Sequence, residues 1–183
     1  MKRKNKNLFR KKVLKEIAKK RVNNYKKDKI INTQLYRFIK RAGYKDIMIF
    51  IPLKNEVNIS PLIKLLREKG YNLYVPYMEN NSFRLVKYRL PLKKKKFNIK
   101  EPKLSNRYIK KIDLAIVPIL GIDRNFKRIG YGKGMYDRFY SREGHKIQCT
   151  LFLERDIYFS SKSLSNKYDI EADILFTYSI VSI

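Results

Sequence analysis

Phe9, Val13 and Ile17 fall at i, i+4 and i+8, with Leu14 and Ala18 beside them. That spacing predicts a helix carrying a narrow apolar stripe on an otherwise basic rod. A second helix is expected over residues 30–39, where Ile31, Leu35, Phe38 and Ile39 share a face, with Gly43 ending it. The period then changes. Residues 47–51 form an unbroken apolar run, Ile47-Met48-Ile49-Phe50-Ile51, as a strand buried on both faces requires. Asn58 or Ser60 is placed to cap a following helix that has Pro61 near its first turn and Leu62, Ile63, Leu65 and Leu66 as apolar positions, ending at Gly70. Residues 73–77 are the next strand. Strand, helix and strand in that order predict a parallel pair joined by a right-handed crossover.

Farther on, Phe83, Leu85 and Tyr88 alternate loosely, as an edge or hairpin strand over 82–88 would. Residues 112–117 read as another buried strand, ended by Pro118. Residues 119–134 read as a long loop, 135–141 as a helix, 147–153 as a strand and 174–181 as a final strand. No internal repeat and no separating linker are visible, so a single domain over residues 1–183 is expected. Its fold class is α/β: a three-layer α/β/α sandwich around a mostly parallel sheet, with an N-terminal basic helix. Ligands of such sheets lie at the carboxyl ends of strands, here the loops after Phe50, Tyr74 and Val117.

Composition removes several chemistries. The single cysteine, Cys149, rules out an intramolecular disulfide and a cysteine-cluster metal site, and the single histidine, His145, rules out a multi-histidine site. A half-buried thiol and a surface imidazole are the expected states of these two. The longest mostly apolar uncharged run, residues 174–183, is half the roughly 20 residues of a membrane-spanning helix. The basic N-terminus leads into no apolar stretch, so a cytoplasmic protein without a secretory signal or membrane association is expected.

The chain has 44 Lys and Arg against 16 Asp and Glu, net +28. Residues 1–28 hold +11 and residues 84–111 another +11. Polyanions are the first partners to consider. Lys6 and Arg10 stand one helical turn apart and can converge on one anion, or can belong to a solvated basic face. A basic amphipathic helix can also meet a membrane or an acidic partner. Lys93-Lys94-Lys95-Lys96 reads as a solvent-exposed loop, and richness in Lys, Ile, Asn and Tyr together is also what a compositional bias of the gene would give.

One stretch carries chemistry. Gly130, Gly132 and Gly134 alternate with Tyr131 and Lys133 between a strand and a helix start. Glycines there admit backbone amides to a phosphate, Lys133 and Arg128 supply charge, and the helix start favours an anion. Asp137 can hold a magnesium ion against the same phosphates. A structural turn is the other reading of these glycines.

The string Arg128-Ile129-Gly130-Tyr131-Gly132-Lys133-Gly134-Met135-Tyr136-Asp137-Arg138 resembles the R-L-G-[YRK]-G-[GK]-G-Y-Y-D-R signature of the 5-formyltetrahydrofolate cyclo-ligase family, the methenyltetrahydrofolate synthetases. Lys6-Asn7-Leu8-Phe9-Arg10 resembles its K-x-x-L-R, residues 51–57 its strand-end segment with an E-[VI] pair, Ile99-Lys100-Glu101-Pro102 its I-x-E-P, and residues 168–174 its last acidic segment. Met135 stands where the signature has an aromatic, Phe9 stands for Leu, and the usual Gln and Pro ahead of the last acidic segment are not evident.

The resemblance implies ATP binding by Lys6, Arg10, Arg128, Gly130, Tyr131, Gly132, Lys133, Gly134, Met135 and Tyr136. It implies folate binding by Ile51, Glu56, Tyr131, Gly132, Lys133, Gly134 and Met135, and magnesium at Asp137 and Asp169. Lys133, Arg128 and Tyr136 are the implied catalytic residues. The implied reaction converts 5-formyltetrahydrofolate and ATP to 5,10-methenyltetrahydrofolate, ADP and phosphate through a phosphorylated formyl oxygen. Partners are then ATP and reduced folate, including polyglutamylated forms, for a monomer or weak dimer with no specific nucleic acid. A basic rim from residues 93–96 and the first helix would meet polyglutamate tails by screened attraction. The rival reading is a basic nucleic-acid-binding protein that keeps the fold without the chemistry.

Overall fold

Residues 112–117 and the first part of the apolar run over 47–51, which leaves the sheet after Met48, lie in the middle of the sheet, because only there are both faces of a strand covered. The computed structural model describes residues 2–94, 100–104, 111–179 and 181–182. Lys95, Lys96 and Ile99 of the sequence reading lie outside the described residues. Strands β1 (Asp46–Met48), β2 (Asn72–Glu79), β3 (Ser82–Lys87), β6 (Ile112–Pro118), β9 (Ile147–Leu153), β11 (Ile174–Phe176) and β12 (Val181–Ser182) form one sheet in the order β12-β11-β9-β6-β1-β2-β3. The five inner strands are parallel, and β3 and β12 close the edges antiparallel. A mostly parallel sheet is as expected, and so is the hairpin at β3.

Side chains of β6 alternate between two cores, as the period of two requires. Leu114 and Ile116 face helices α2 (Asn24–Ala42) and α3 (Ser60–Glu68), whose Ile31, Leu35, Ile39, Leu62 and Leu66 are fully or almost fully buried. Ala115 and Val117 face α4 (Met135–Glu143), where Phe139 stacks on Phe83 with ring centroids 4.5 Å apart. Helix α1 (Lys2–Lys19) docks separately, through Val13 and Ile17 on Leu120 and Tyr158.

Local signals behave as predicted at some boundaries and not at others. Gly43 takes a left-handed conformation (φ 73°), and its N–H donates to Lys40 O. At α3 Ile59 takes the cap position, with no side-chain cap bond of its own, while the predicted Asn58 accepts the Ser60 N–H at 3.2 Å from one residue farther out. Asn32 of α2 accepts the Leu62 N–H at 3.0 Å, so a neighbouring helix also satisfies the helix start. The long loop over 119–134 contains two short strands, β7 (Gly121–Asp123) and β8 (Arg128–Ile129), which join β10 (Phe159–Ser160) in a second sheet. The predicted final strand over 174–181 breaks after Phe176 and turns back as β12. In the segment read as a basic loop, β4 (Lys93–Lys94) pairs antiparallel with β5 (Lys100–Glu101). Strands of two or three residues show no period that a sequence pattern can register. Among the described residues, no helix is long and apolar enough to cross a membrane.

Candidate active site

Parallel strands deliver their following loops to one end of the sheet, and a cavity of about 350 Å³ lies there. The loop after β1 supplies Phe50, Ile51 and Glu56, and the segment after β6 supplies Pro118, Arg128 and residues 130–137. The expected loop after Tyr74 does not contribute as such, because β2 continues to Glu79; Pro76 and Met78 of the strand itself form that wall. Arg10 from α1 and Asp169 complete the rim.

Arg128 forms the floor. It is 6% exposed, its Nε and Nη2 donate to Pro118 O at 3.1 and 2.8 Å, and its guanidinium lies 4.8 Å from the Tyr136 ring centroid. Gly130 is required by this packing, because a β-carbon there would collide with the Arg128 guanidinium. Gly132 is required by conformation, at φ 101°. Arg138 donates to Lys133 O at 2.6 Å and to Asn81 O at 2.5 Å, pinning the glycine loop to the turn between β2 and β3. Burial, reinforced by Glu56, pushes the Tyr131 and Tyr136 hydroxyls far above the ordinary phenol range, so both stay protonated, and the Tyr131 hydroxyl has no hydrogen-bond partner among the described residues.

The first helix reaches the same cavity. Lys6 Nζ donates to Asp169 Oδ1 at 2.5 Å, and Arg10 Nε donates to Gly130 O at 2.7 Å. Lys6 is 9% exposed, so the solvated reading fails for this lysine. Burial draws the Arg10 guanidinium below its ordinary value, Asp169 opposes that shift and Arg128 adds to it. The two cations do not converge on one carboxylate: Lys6 takes Asp169, while Arg10 takes a carbonyl of the glycine loop.

Glu56 sits opposite, 6% exposed, with Oε2 accepting the Leu53 N–H at 2.8 Å. Burial pushes its carboxyl up to about 7, while that hydrogen bond, Arg128 and Arg155 pull it back. Glu154 is pushed up to about 8, again mainly by burial. Asp137 Oδ1 is buried and has no hydrogen-bond partner among the described residues. An unsatisfied carboxylate oxygen lining this cavity is chemically suited to a hard cation, which takes one or two carboxylates and phosphate oxygens. Asp169 is more encumbered, because Lys6 holds Oδ1 and the Asn166 N–H holds Oδ2 at 2.7 Å. No group of three or more His, Cys, Asp or Glu suited to a metal ion occurs among the described residues.

Cys149 is buried in the core and His145 is exposed, so neither enters the site. Two supporting groups had no sequence signal. Asp123, fully buried, accepts N–H groups from Asn125, Leu164 and Ser165. Burial raises its carboxyl, but these hydrogen bonds and the Ser165 side chain outweigh it and hold the group below the ordinary range. Arg155 and Asp28 form the second, a buried pair with Nε to Oδ1 at 2.7 Å.

Comparison with known proteins identifies the family. The model of the 5-formyltetrahydrofolate cyclo-ligase family matches residues 2–156. A 5-formyltetrahydrofolate cyclo-ligase of Mycoplasma pneumoniae is 23% identical over 175 residues, covering 93% of this chain and 96% of that protein. That of Haemophilus influenzae is 25% identical over 136 residues, covering 67% and 73%. The solved structure of Aquifex aeolicus 5,10-methenyltetrahydrofolate synthetase superposes with a TM-score of 0.77 at 25% identity, covering 96% of this chain and 91% of that one. A Mycoplasma pneumoniae synthetase structure shares the fold with a TM-score of 0.70 at 20% identity, covering 93% and 96%. The family model spans most of the chain and the fold is shared, and the chain belongs to the 5-formyltetrahydrofolate cyclo-ligase family.

Proposed function

We propose that this protein catalyses the ATP- and magnesium-dependent closure of 5-formyltetrahydrofolate to 5,10-methenyltetrahydrofolate, in the cytoplasm, as a monomer or weak dimer. The observation that carries the reading is the shared cavity. Ile51 and Glu56 line one side, and Arg10, Lys133, Asp137 and the glycine loop line the other. A folate and a triphosphate held there would have their reacting ends in contact.

The chemistry needs activation because an amide-like oxygen leaves poorly. The formyl oxygen attacks the γ-phosphorus and ADP departs. N10 then attacks the formyl carbon, and phosphate leaves with the oxygen as the ring closes and the N10 proton is lost. Bound magnesium, held by Asp137 with Asp169 as a second carboxylate, would offset the phosphate charge. Arg128, Lys133 and Arg10 place positive charge where negative charge develops on the transferring group, and Lys6 sets the position of Asp169. Tyr136 braces the Arg128 guanidinium, while Tyr131, Met135 and the backbone of Gly130, Gly132 and Gly134 shape the floor between the two substrates. Neither Cys149 nor His145 is needed as a nucleophile, which matches their positions outside the cavity.

The test is the rise of methenyltetrahydrofolate absorbance in the near ultraviolet with 5-formyltetrahydrofolate, ATP and magnesium. Turnover that stops when ATP or magnesium is withheld is expected. Absence of turnover by folded protein with all three present would remove the proposal.

A further inference from the structure

Arg155, 6% exposed and two residues past β9, meets two other parts of the chain. Its Nε and Nη2 donate to the two carboxylate oxygens of Asp28 on α2, at 2.7 and 2.9 Å. Nη2 also donates to Glu56 O at 2.6 Å, and Nη1 donates to Asn55 O at 3.1 Å. Asp28 Oδ2 accepts the Asn58 N–H at 3.1 Å. The backbone is therefore held on both sides of Glu56 by one buried ion pair, rooted in a helix and at the end of a central strand.

We propose that Arg155, oriented by Asp28, is the positioning residue of the folate side of the cavity. It fixes the backbone of Asn55 and Glu56 so that the Glu56 carboxylate faces the substrate. This rests on the cyclo-ligase reading, which supplies the substrate role of Glu56.

Three features favour positioning over a purely stabilising role. Among the described residues the Glu56 side chain accepts a hydrogen bond from the Leu53 N–H alone, so its aim follows its backbone. A planar guanidinium satisfies several acceptors in fixed directions, which a lysine ammonium cannot reproduce. A buried ion pair adds little stability over an apolar pair of similar size, so its geometry is its distinctive contribution. The nucleotide side is tied down by other bonds, Arg10 to Gly130 O, Lys6 to Asp169 and Arg138 to Lys133 O. Damage to the Arg155 latch should therefore separate the two substrates.

Arg155→Lys and the double variant Asp28→Leu/Arg155→Met provide the test. The double variant leaves neither charge of the pair buried and unpaired, so it keeps the fold measurable if the single variant unfolds. Expected for both is a KM for 5-formyltetrahydrofolate raised about tenfold, with KM for ATP within about twofold of wild type. Amide hydrogen exchange is expected to accelerate over residues 53–58 and to stay unchanged over residues 130–137. A folded double variant with wild-type folate KM and wild-type exchange over 53–58 overturns the proposal, as does an equal rise in both KM values. Wild-type protein that fails to turn over instead overturns the cyclo-ligase reading; the exchange comparison still decides whether Arg155 holds the loop.

Discussion

In residues 1–28, Lys6 is drawn into an ion pair with Asp169, Arg10 bonds the carbonyl of Gly130, and Lys27 pairs with Asp156 at 2.5 Å. Residues 84–111 carry the same net charge of +11. There the described cations stay nearer the surface: Lys93, Lys100 and Lys111 are exposed, and Arg84 pairs with its neighbour Glu79. What separates the segments is an apolar anchor. Val13 and Ile17 seat α1 on Leu120 and Tyr158, and the helix then carries Arg10 to the cavity and Lys6 to Asp169 at its rim with most of their freedom already removed. The short β4–β5 ladder is anchored instead by one polar contact, the buried Glu101 accepting the Met78 N–H at 2.9 Å, and that contact leaves Lys93 and Lys100 at the surface.

The contrast can be broken most directly at Arg10. Arg10→Ala is expected to lower kcat/KM about 100-fold, on the order of 2.7 kcal/mol of transition-state stabilisation, in an ATP titration at saturating folate. Lys133→Ala and Asp137→Ala should each lower it at least about tenfold, and magnesium titration of Asp137→Ala should show a weakened dependence. Wild-type rates in all three would show that the anchored segment and the glycine loop do not form the site. Ile17→Ala tests the anchor itself. Unfolding free energy should fall by roughly 2–4 kcal/mol, and KM for ATP should rise severalfold as α1 loosens.

Stability against pH probes the buried Glu154 instead. The folded carboxyl of Glu154 titrates near 8, far above an exposed glutamate, so between about pH 4.5 and 8 the unfolded chain releases a proton that the folded chain keeps. Stability therefore falls as pH rises across that window. Glu154→Gln should flatten the fall, gaining roughly 1–3 kcal/mol at pH 8 relative to pH 5 in thermal unfolding scans. The smallest effects belong to the second basic segment. Lys93→Ala should change kcat/KM less than about twofold. Lys100 borders both the main cavity and a neighbouring one of about 160 Å³. Lys100→Ala should raise KM for polyglutamylated folate two- to fivefold at low salt and not at high salt, as screened surface attraction does. Equal KM values at both salts would leave this segment without a role in substrate capture.

The inner strands were legible because burial on both faces writes an unbroken apolar run, and α2 because its period repeats over several turns. The glycine loop was legible because its residues are contiguous and chemically constrained: Gly130 must admit Arg128 and Gly132 must take a positive φ. The Asn32 cap, the Asp123 hub and the Arg155–Asp28 latch were not. Each joins residues far apart in sequence, 127 positions apart for the latch, and neither polar partner leaves a periodic trace. Asp169 was found through its resemblance to a motif, but its capture by Lys6, 163 positions away, was not.

The sequence by itself determined which segments become inner strands and helices, and which loop gathers glycines and charge between a strand and a helix, because those properties depend on neighbouring residues. The tertiary structure alone decided which of 44 basic side chains reach the cavity and what holds Glu56 in place. A charge acquires a function from burial, distance and partner, and all three are set only when the segments that carry them pack together.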